Sequence, residues 1–551
     1  MSAAQISRRG FVSAAAGLTG IAVLVPDSLA FRLQGRLAPS YTGGTFPDGI
    51  ASGDPTPDGI TLWSRVEGVS GNGSVLMEVA TDSGFHKIVK STLVPVDPAK
   101  LYTVKVRVTG LKTHTQYYYR FATKSKNSAV GKFRTALAAT STSAVKFAYF
   151  SCQEFGYGYF NAHALMAKDD VDFVVNLGDF VYQDVGYSSY PETVGGITYP
   201  ALAVRKENNP GSEALSGATT YAEYAKRYQR YRTDKDLQAM QASHAMISTW
   251  DDHEVLNDYA GGAGADGGNA SRTQPPSYIG WSNERKLAAY NAWFDNMPTF
   301  PQVTGGTKLY HKAKFGKNLE LFVLDERQYR DKQACGFKAS EIDPASCTDL
   351  NTPARAYLGA EQMSFLQGGL NTSTSKWKLI ANEVVAMALN EVDGKSAGVD
   401  DWVGYPTERE SLLQAIRSHN VKNVVFATGD YHTFMAGEVR DAAGHAVATE
   451  FAGGSVTMPS NSEIAGAIFH TPGYGTAAAP TLPTSHNEAH YLAANPHMKE
   501  YDQLHHGYVL ASATSSQFSA TFKKLQTIRT KSTALAATKT YRVAANSTTV
   551  L

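Results

Sequence analysis

The chain is short of several things, and each shortage excludes a class of protein. It has three cysteines in 551 residues, far too few for a disulfide-built scaffold. It has no excess of either charge: 51 basic against 50 acidic residues give a formal net charge of +1, so no global field draws in nucleic acid or a membrane surface. No apolar run reaches the roughly 20 residues of a spanning helix. No internal repeat is visible, and no Gly-x-Ser-x-Gly elbow marks a serine hydrolase. What remains is an ordinary globular composition, 43% hydrophobic and 18% charged, long enough for two or more domains with their own cores.

The first residues read as a targeting segment. Ser7-Arg8-Arg9-Gly10-Phe11 precedes a modest apolar run from Phe11 to Val25 and the small residues around Ser28-Leu29-Ala30. This is the pattern of a twin-arginine export peptide over residues 1–30, with the twin-arginine translocase as partner and a secreted, periplasmic or envelope destination. That route carries folded proteins, often with a cofactor installed, so it hints at a metal. After export, Cys335 and Cys347 are close enough in sequence to pair. Cys152 is then single: a small buried hydrophobe, or a thiol with a function.

From Tyr41 to about Thr135 the chain alternates short β segments with Gly, Pro and Asp turns, as in Gly59–Trp63, Val75–Val79, Tyr102–Val106 and Gln116–Phe121. The spacing predicts a small β-sandwich domain over 41–135. Ala136–Ala144 reads as a linker. From Val145 to about 535, apolar strands alternate with helical stretches such as Tyr221–Ala242 and Ser282–Asn296, which predicts an α/β layer architecture. Gly507–Leu510 and Ser519–Phe522 read as further strands.

Polar clusters recur where these strands end. Val145–Phe150 runs into Ser151-Cys152-Gln153, and Val171–Leu177 into Gly178-Asp179-Phe180-Val181-Tyr182. Ala245–Trp250 runs into Asp251-Asp252-His253-Glu254, and Val424–Thr428 into Gly429-Asp430-Tyr431-His432. Leu319–Leu324 precedes Asp325, and Trp377–Ile380 precedes Asn382-Glu383. Ligands of α/β sheets bind beyond strand ends, where loops converge. Three carboxylates and an imidazole in four positions after a buried strand are costly without cations or hydrogen bonds. Asp430 and His432 stand at i, i+2, the spacing that points both side chains one way on an extended segment. Hard oxygen donors favour calcium, magnesium or manganese, whereas Tyr, His and Cys favour iron or zinc, so a mixed site is expected.

Taken in order and spacing, these motifs resemble the PhoD-type alkaline phosphatase family, also called phosphodiesterase/alkaline phosphatase D. The resemblance spans nearly the whole mature chain. It includes Phe46-Pro47-Asp48-Gly49-Ile50-Ala51-Ser52-Gly53-Asp54-Pro55 and Thr61-Leu62-Trp63-Ser64-Arg65 in the β region. In the larger region it includes Leu324-Asp325-x-Arg327-Gln328-Tyr329-Arg330, Leu358-Gly359-x-Glu361-Gln362 and Asp401-Trp402-x-Gly404-Tyr405-Pro406. It implies a fibronectin-like β-sandwich followed by a four-layer α/β/β/α metallophosphatase domain, similar to purple acid phosphatases. It also implies ferric iron (Fe3+) paired with calcium (Ca2+). Cys152, Asp179, Tyr182 and His432 would hold iron, Asp179 bridging, while Asp252 and Asp430 would hold calcium and His253 would lie beside the phosphate. Asn382-Glu383 departs from the glutamines more usual in that family.

The expected activity is hydrolysis of phosphate monoesters, and of diesters, by attack of activated water. The alternatives are a phospholipase D-like diesterase, with Tyr187–Gly217 and Gly261–Ser277 closing over the second ester arm, and a calcium-containing surface-binding protein without catalysis. Arg327, Arg330 and Arg409 are either phosphate contacts or salt-bridge partners.

Overall fold

The computed structural model describes residues 37–183, 205, 217–261, 282–336, 347–353, 355–390, 399–467 and 488–551, with the backbone of 192–194 and 197–199. The leader over 1–30 lies outside them. So do 187–217 and 261–277, apart from Arg205, Gly217, Gly261 and that backbone.

The N-terminal stretch forms β1 (Ile50–Thr56), β2 (Gly59–Arg65), β3 (Gly73–Ala80), β4 (Ile88–Val96), β5 (Thr103–Val108), β6 (Gln116–Ala122) and β7 (Gly131–Arg134). Then come β8 (Val145–Phe150), β9 (Phe173–Leu177), the two-stranded ribbon β10 (Glu192–Val194) and β11 (Ile197–Tyr199), and β12 (Ala245–Thr249). They are followed by β13 (His311–Phe315), β14 (Leu319–Val323), β15 (Trp377–Asn382), β16 (Val424–Thr428), β17 (Phe434–Arg440), β18 (Ala446–Ala452) and β19 (Met498–Asp502). The C-terminus adds β20 (Gly507–Ala513), β21 (Gln517–Leu525) and β22 (Leu535–Ala544).

These strands build two large sheets. The first has nine strands in the order β22-β21-β20-β8-β9-β12-β1-β2-β5, the second seven in the order β13-β14-β15-β16-β18-β17-β19. At the centre of the first, β8, β9, β12 and β1 run parallel. In the second, β14, β15, β16 and β18 do the same. Parallel strands need both faces covered, and the sequence supplies this with runs that are apolar on both sides. The inner faces meet through Phe147, Phe173, Val175 and Ile247 against Leu321, Trp377, Leu379 and Val425.

Helices cover the outer faces. On the first sheet lie α1 (Asn161–Met166), α2 (Tyr221–Tyr231), α3 (Lys235–Ser243) and α4 (Asn283–Asn296), packed through Met166, Tyr228, Leu237 and Trp293. On the second lie α5 (Gly359–Thr372) and α6 (Pro406–Ser418), packed through Leu366, Leu370, Leu412 and Ile416. The short helices α7 (Asn461–Ala467) and α8 (Glu488–Ala494) follow. The result is α/β/β/α in four layers.

Two expectations are refined. The single helix predicted over Tyr221–Ala242 is two, because Asp234 sits extended (φ −68°, ψ 126°) and its carboxylate accepts from Asp236 N and Leu237 N, starting α3 afresh. The N-terminal strands pack as a sandwich, with the sheet β4-β3-β6-β7 facing β1-β2-β5 across Ile60, Leu62, Val79, Val106 and Phe121. Its second layer is also the flank of the nine-stranded sheet, since β1 pairs with β12 in parallel register.

Candidate metal centre

The carboxyl ends of β8, β9, β12 and β16 converge, so four loops from two sheets deliver polar groups to a single spot. Close approach is built into two glycines. Gly178 adopts φ +104°, and a Cβ there would fall 2.4 Å from Asp251 Cβ. A Cβ on Gly429 would fall 2.8 Å from Ser151 Cβ, where a loop of the second sheet meets one of the first. Cys152, Asp179, Asp430 and His432 themselves adopt positive φ, between 49° and 59°. Four non-glycine residues held in that region at neighbouring strand ends mark a functional site, because each conformation costs about 1–3 kcal/mol.

The side chains converge in three overlapping groups, the donor atoms of each lying within 4.8 Å of one another: Cys152, Asp179 and His432; Asp179, Asp252 and His253; Asp251, Asp252 and Asp430. Asp179 belongs to two groups and Asp252 to two. The Tyr182 hydroxyl donates to Asp179 Oδ2 at 2.7 Å, and its ring lies 4.1 Å from the His253 ring, centroid to centroid. The seven side chains singled out in the sequence are therefore gathered at one site.

The electrostatics call for cations. Burial pushes the Asp179 and Asp430 carboxyls well above their usual range, with Asp252 and Asp251 respectively adding to it. Burial likewise raises the Cys152 thiol and the Tyr182 phenol, with Asp179 next to each. His432 is pushed down to about 3, mainly by burial. Burial also opposes charge on Asp252, yet His253 and Arg327 hold it below its ordinary value. Asp251 Oδ2 and Asp252 Oδ1 are buried with no hydrogen-bond partner among the described residues. Unpaired carboxylate oxygens beside a thiol, a phenol and imidazoles suit metal ions, which would replace the protons these groups otherwise keep.

Around the donors stands a supporting set that the sequence reading did not select. Glu254 accepts from the backbone N–H of Asp179 (3.1 Å), Phe180 (2.7 Å) and Asp251 (2.9 Å), locking two loops together; burial still raises it to about 8. Arg327 is fully buried and pairs with Asp251 and with Asp400 (2.6 Å), its Nη2 lying 3.6 Å from Asp430 and 3.9 Å from Asp252. It is a salt-bridge partner, as is Arg330 with Asp400, while Arg409 donates to the Ala386 carbonyl. Asn382 and Glu383 are outside the three groups. Glu383 and Glu326 clasp each other, each carboxylate accepting the other's backbone N–H at 2.9 Å, and Asn382 accepts from Trp402 Nε1. Cys335 and Cys347 form a disulfide, leaving Cys152 as the buried free thiol.

Two mixed sheets faced by helices, with such donors at their carboxyl ends, define the metallophosphatase class of phosphoesterase. The chain belongs to the PhoD-like phosphatase family: that family's model matches residues 147–522, and the model of its N-terminal domain matches 33–137. It is 30% identical over 537 residues to alkaline phosphatase D of Bacillus subtilis strain 168, an alignment covering 94% of this chain and 84% of that protein. It superposes on a solved structure of PhoD with a TM-score of 0.77 at 28% identity, covering 93% of each chain. The protein is thus a phosphatase. Among the described residues no helix is long and apolar enough to cross a membrane.

Proposed function

We propose that the protein is an exported, metal-dependent phosphoesterase that hydrolyses phosphate monoesters and also diesters. Cys152, Asp179, Tyr182 and His432 would hold ferric iron, and Asp252 and Asp430, with Asp179 bridging, would hold calcium. The observation that carries this reading is the position of Asp179, shared between the group with Cys152 and His432 and the group with Asp252 and His253, while Asp252 leads on to the all-carboxylate group with Asp251 and Asp430. When bound, such a cation pair supplies Lewis acidity and brings a water's pKa into the working range.

The chain's own residues do the rest. Glu254 fixes the backbone on which Asp179 and Asp251 stand, so the donors need no rearrangement as charge develops. His253, partly exposed and with its ring tilted against that of Tyr182, is placed to hold a phosphate oxygen or to give a proton to the leaving oxygen. Arg327 offsets part of the carboxylate charge from beneath, with no surface to offer a substrate.

Export by the twin-arginine translocase is supported by Ser7-Arg8-Arg9 and by the Cys335–Cys347 disulfide, a bond that persists in oxidising compartments. The deciding experiment measures iron and calcium content of exported protein and compares its rates on a phosphate monoester and a diester. Structural calcium without iron, and no turnover of either ester, would refute the proposal and leave the surface-binding alternative.

A further inference from the structure

The segment from Ser455 to Glu463 touches both halves of the site. Val456 N donates to Ser151 O (3.1 Å), and Thr457 N and Met458 N both donate to Cys152 O (3.2 and 3.0 Å). The Thr457 hydroxyl donates to Glu154 O at 2.6 Å. Further on, Asn461 Nδ2 brackets His432, donating to Tyr431 O (2.9 Å) and Thr433 Oγ1 (3.2 Å). One strap thus joins the Cys152 loop of the first sheet to the His432 loop of the second.

The ends of this strap are joined by one side chain. His506 is buried, with Nδ1 3.0 Å from Ser455 Oγ and Nε2 3.0 Å from Glu463 Oε2. The Ser455 hydroxyl gives its own hydrogen to the Met458 carbonyl, so His506 is the donor to Ser455. Arg529 supports Glu463 from the other side at 3.3 Å. The Gly507 N–H, next in the chain, donates to Ser455 O at 2.9 Å.

We infer that His506 is a positioning residue: by stapling Ser455 to Glu463 it fixes the strap that sets the separation of the Cys152 thiol and the His432 imidazole. It touches neither substrate nor donor atoms and acts only through the strap. The effect on metal retention rests on the proposed iron site; the effect on the strap does not.

The test uses His506→Leu and Glu463→Gln in the full chain, the second keeping shape and hydrogen-bonding capacity should the first fail to fold. Cys152 is the free thiol, so its rate of labelling by a thiol reagent in chelator-stripped protein reports how tightly the strap covers it. A rise of about tenfold or more is expected in His506→Leu and a smaller rise in Glu463→Gln, because a buried thiol reacts through local openings that loss of the staple makes more frequent. In metal-loaded protein, the visible absorption of the iron centre is expected to shift, and kcat to fall more than KM rises. Wild-type labelling rates in both variants would overturn the inference. A wild-type protein with no iron absorption would instead overturn the metal reading, while the labelling result still decides the staple.

Discussion

The Tyr182 hydroxyl donates to Asp179 Oδ2 at 2.7 Å, three residues along the same loop, and both side chains are buried. With no cation beside it, burial and then Asp179 keep this phenol protonated far into the alkaline range. Tyr182→Phe is therefore expected to leave the fold intact and to remove the phenolate part of the visible absorption of the metal-loaded protein, leaving the part due to the Cys152 thiolate. Iron affinity should fall by about 10- to 100-fold or more. Full iron content with an unchanged spectrum would remove Tyr182 from the ligand set.

Asp252→Asn and Asp430→Asn should separate the two cations. Each variant is expected to lose calcium and turnover while keeping iron, because the Cys152 thiol and the His432 imidazole share a group with Asp179 that contains neither Asp252 nor Asp430. Stripping all metal should lower the unfolding free energy by about 3 kcal/mol if the site is some hundredfold saturated. Metal analysis and urea unfolding check both, and equal loss of iron in the two variants would count against distinct sites.

Gly178→Ala tests the close approach of two loops. The φ of +104° strains any side chain, and the new methyl would lie 2.4 Å from Asp251 Cβ and 2.7 Å from Asp251 N. A loss of roughly 2–4 kcal/mol in chemical unfolding is expected, with activity falling together with stability because Asp179 and Asp251 flank the clash. A change below about 0.5 kcal/mol, the scale of an ordinary surface substitution, would show the loops free to part.

Acid should loosen the strap. Burial raises the Glu463 carboxyl, but His506 and then Arg529 outweigh it and hold the folded value down to about 2. A depressed carboxylate contributes its full stability above its ordinary value, near 4.5, and loses it as the pH falls through about 2. The contribution is on the order of 2 kcal/mol, allowing for partial exposure. Unfolding free energies between about pH 5 and pH 2 should converge for wild type and Glu463→Gln at the acid end; parallel profiles would contradict this.

The layers were legible because periodicity reports burial. Val145–Phe150 and Val424–Thr428 occupy the strand bounds their apolar runs suggest. The site was legible because its donors are unusual residues for strand ends, and order and spacing completed the pattern. What supports the donors was not. Glu254 looks like one more acid in an acidic turn, and only the fold shows its carboxylate accepting three backbone N–H groups. Arg327 was ambiguous because a guanidinium after a buried strand reads alike whether it faces solvent or carboxylates. His506 and Ser455 are distant in sequence from every motif, and strap contacts made by backbone carry no residue signature. The break at Asp234 is written in the sequence after all, since Arg232 to Asp236 holds no apolar residue and Asp is itself a starting residue for a helix.

The pairing of β1 with β12, and of β20 with β8, means that the nine-stranded sheet is assembled from both ends of the polypeptide around its middle. The partner of β8 is made last, so β8 and β9 wait with an open sheet edge until the C-terminal strands emerge. The sheet is completed only at the end of synthesis. A truncation that removes the first domain would strip the neighbour from β12 and leave a sticky margin instead of a smaller enzyme.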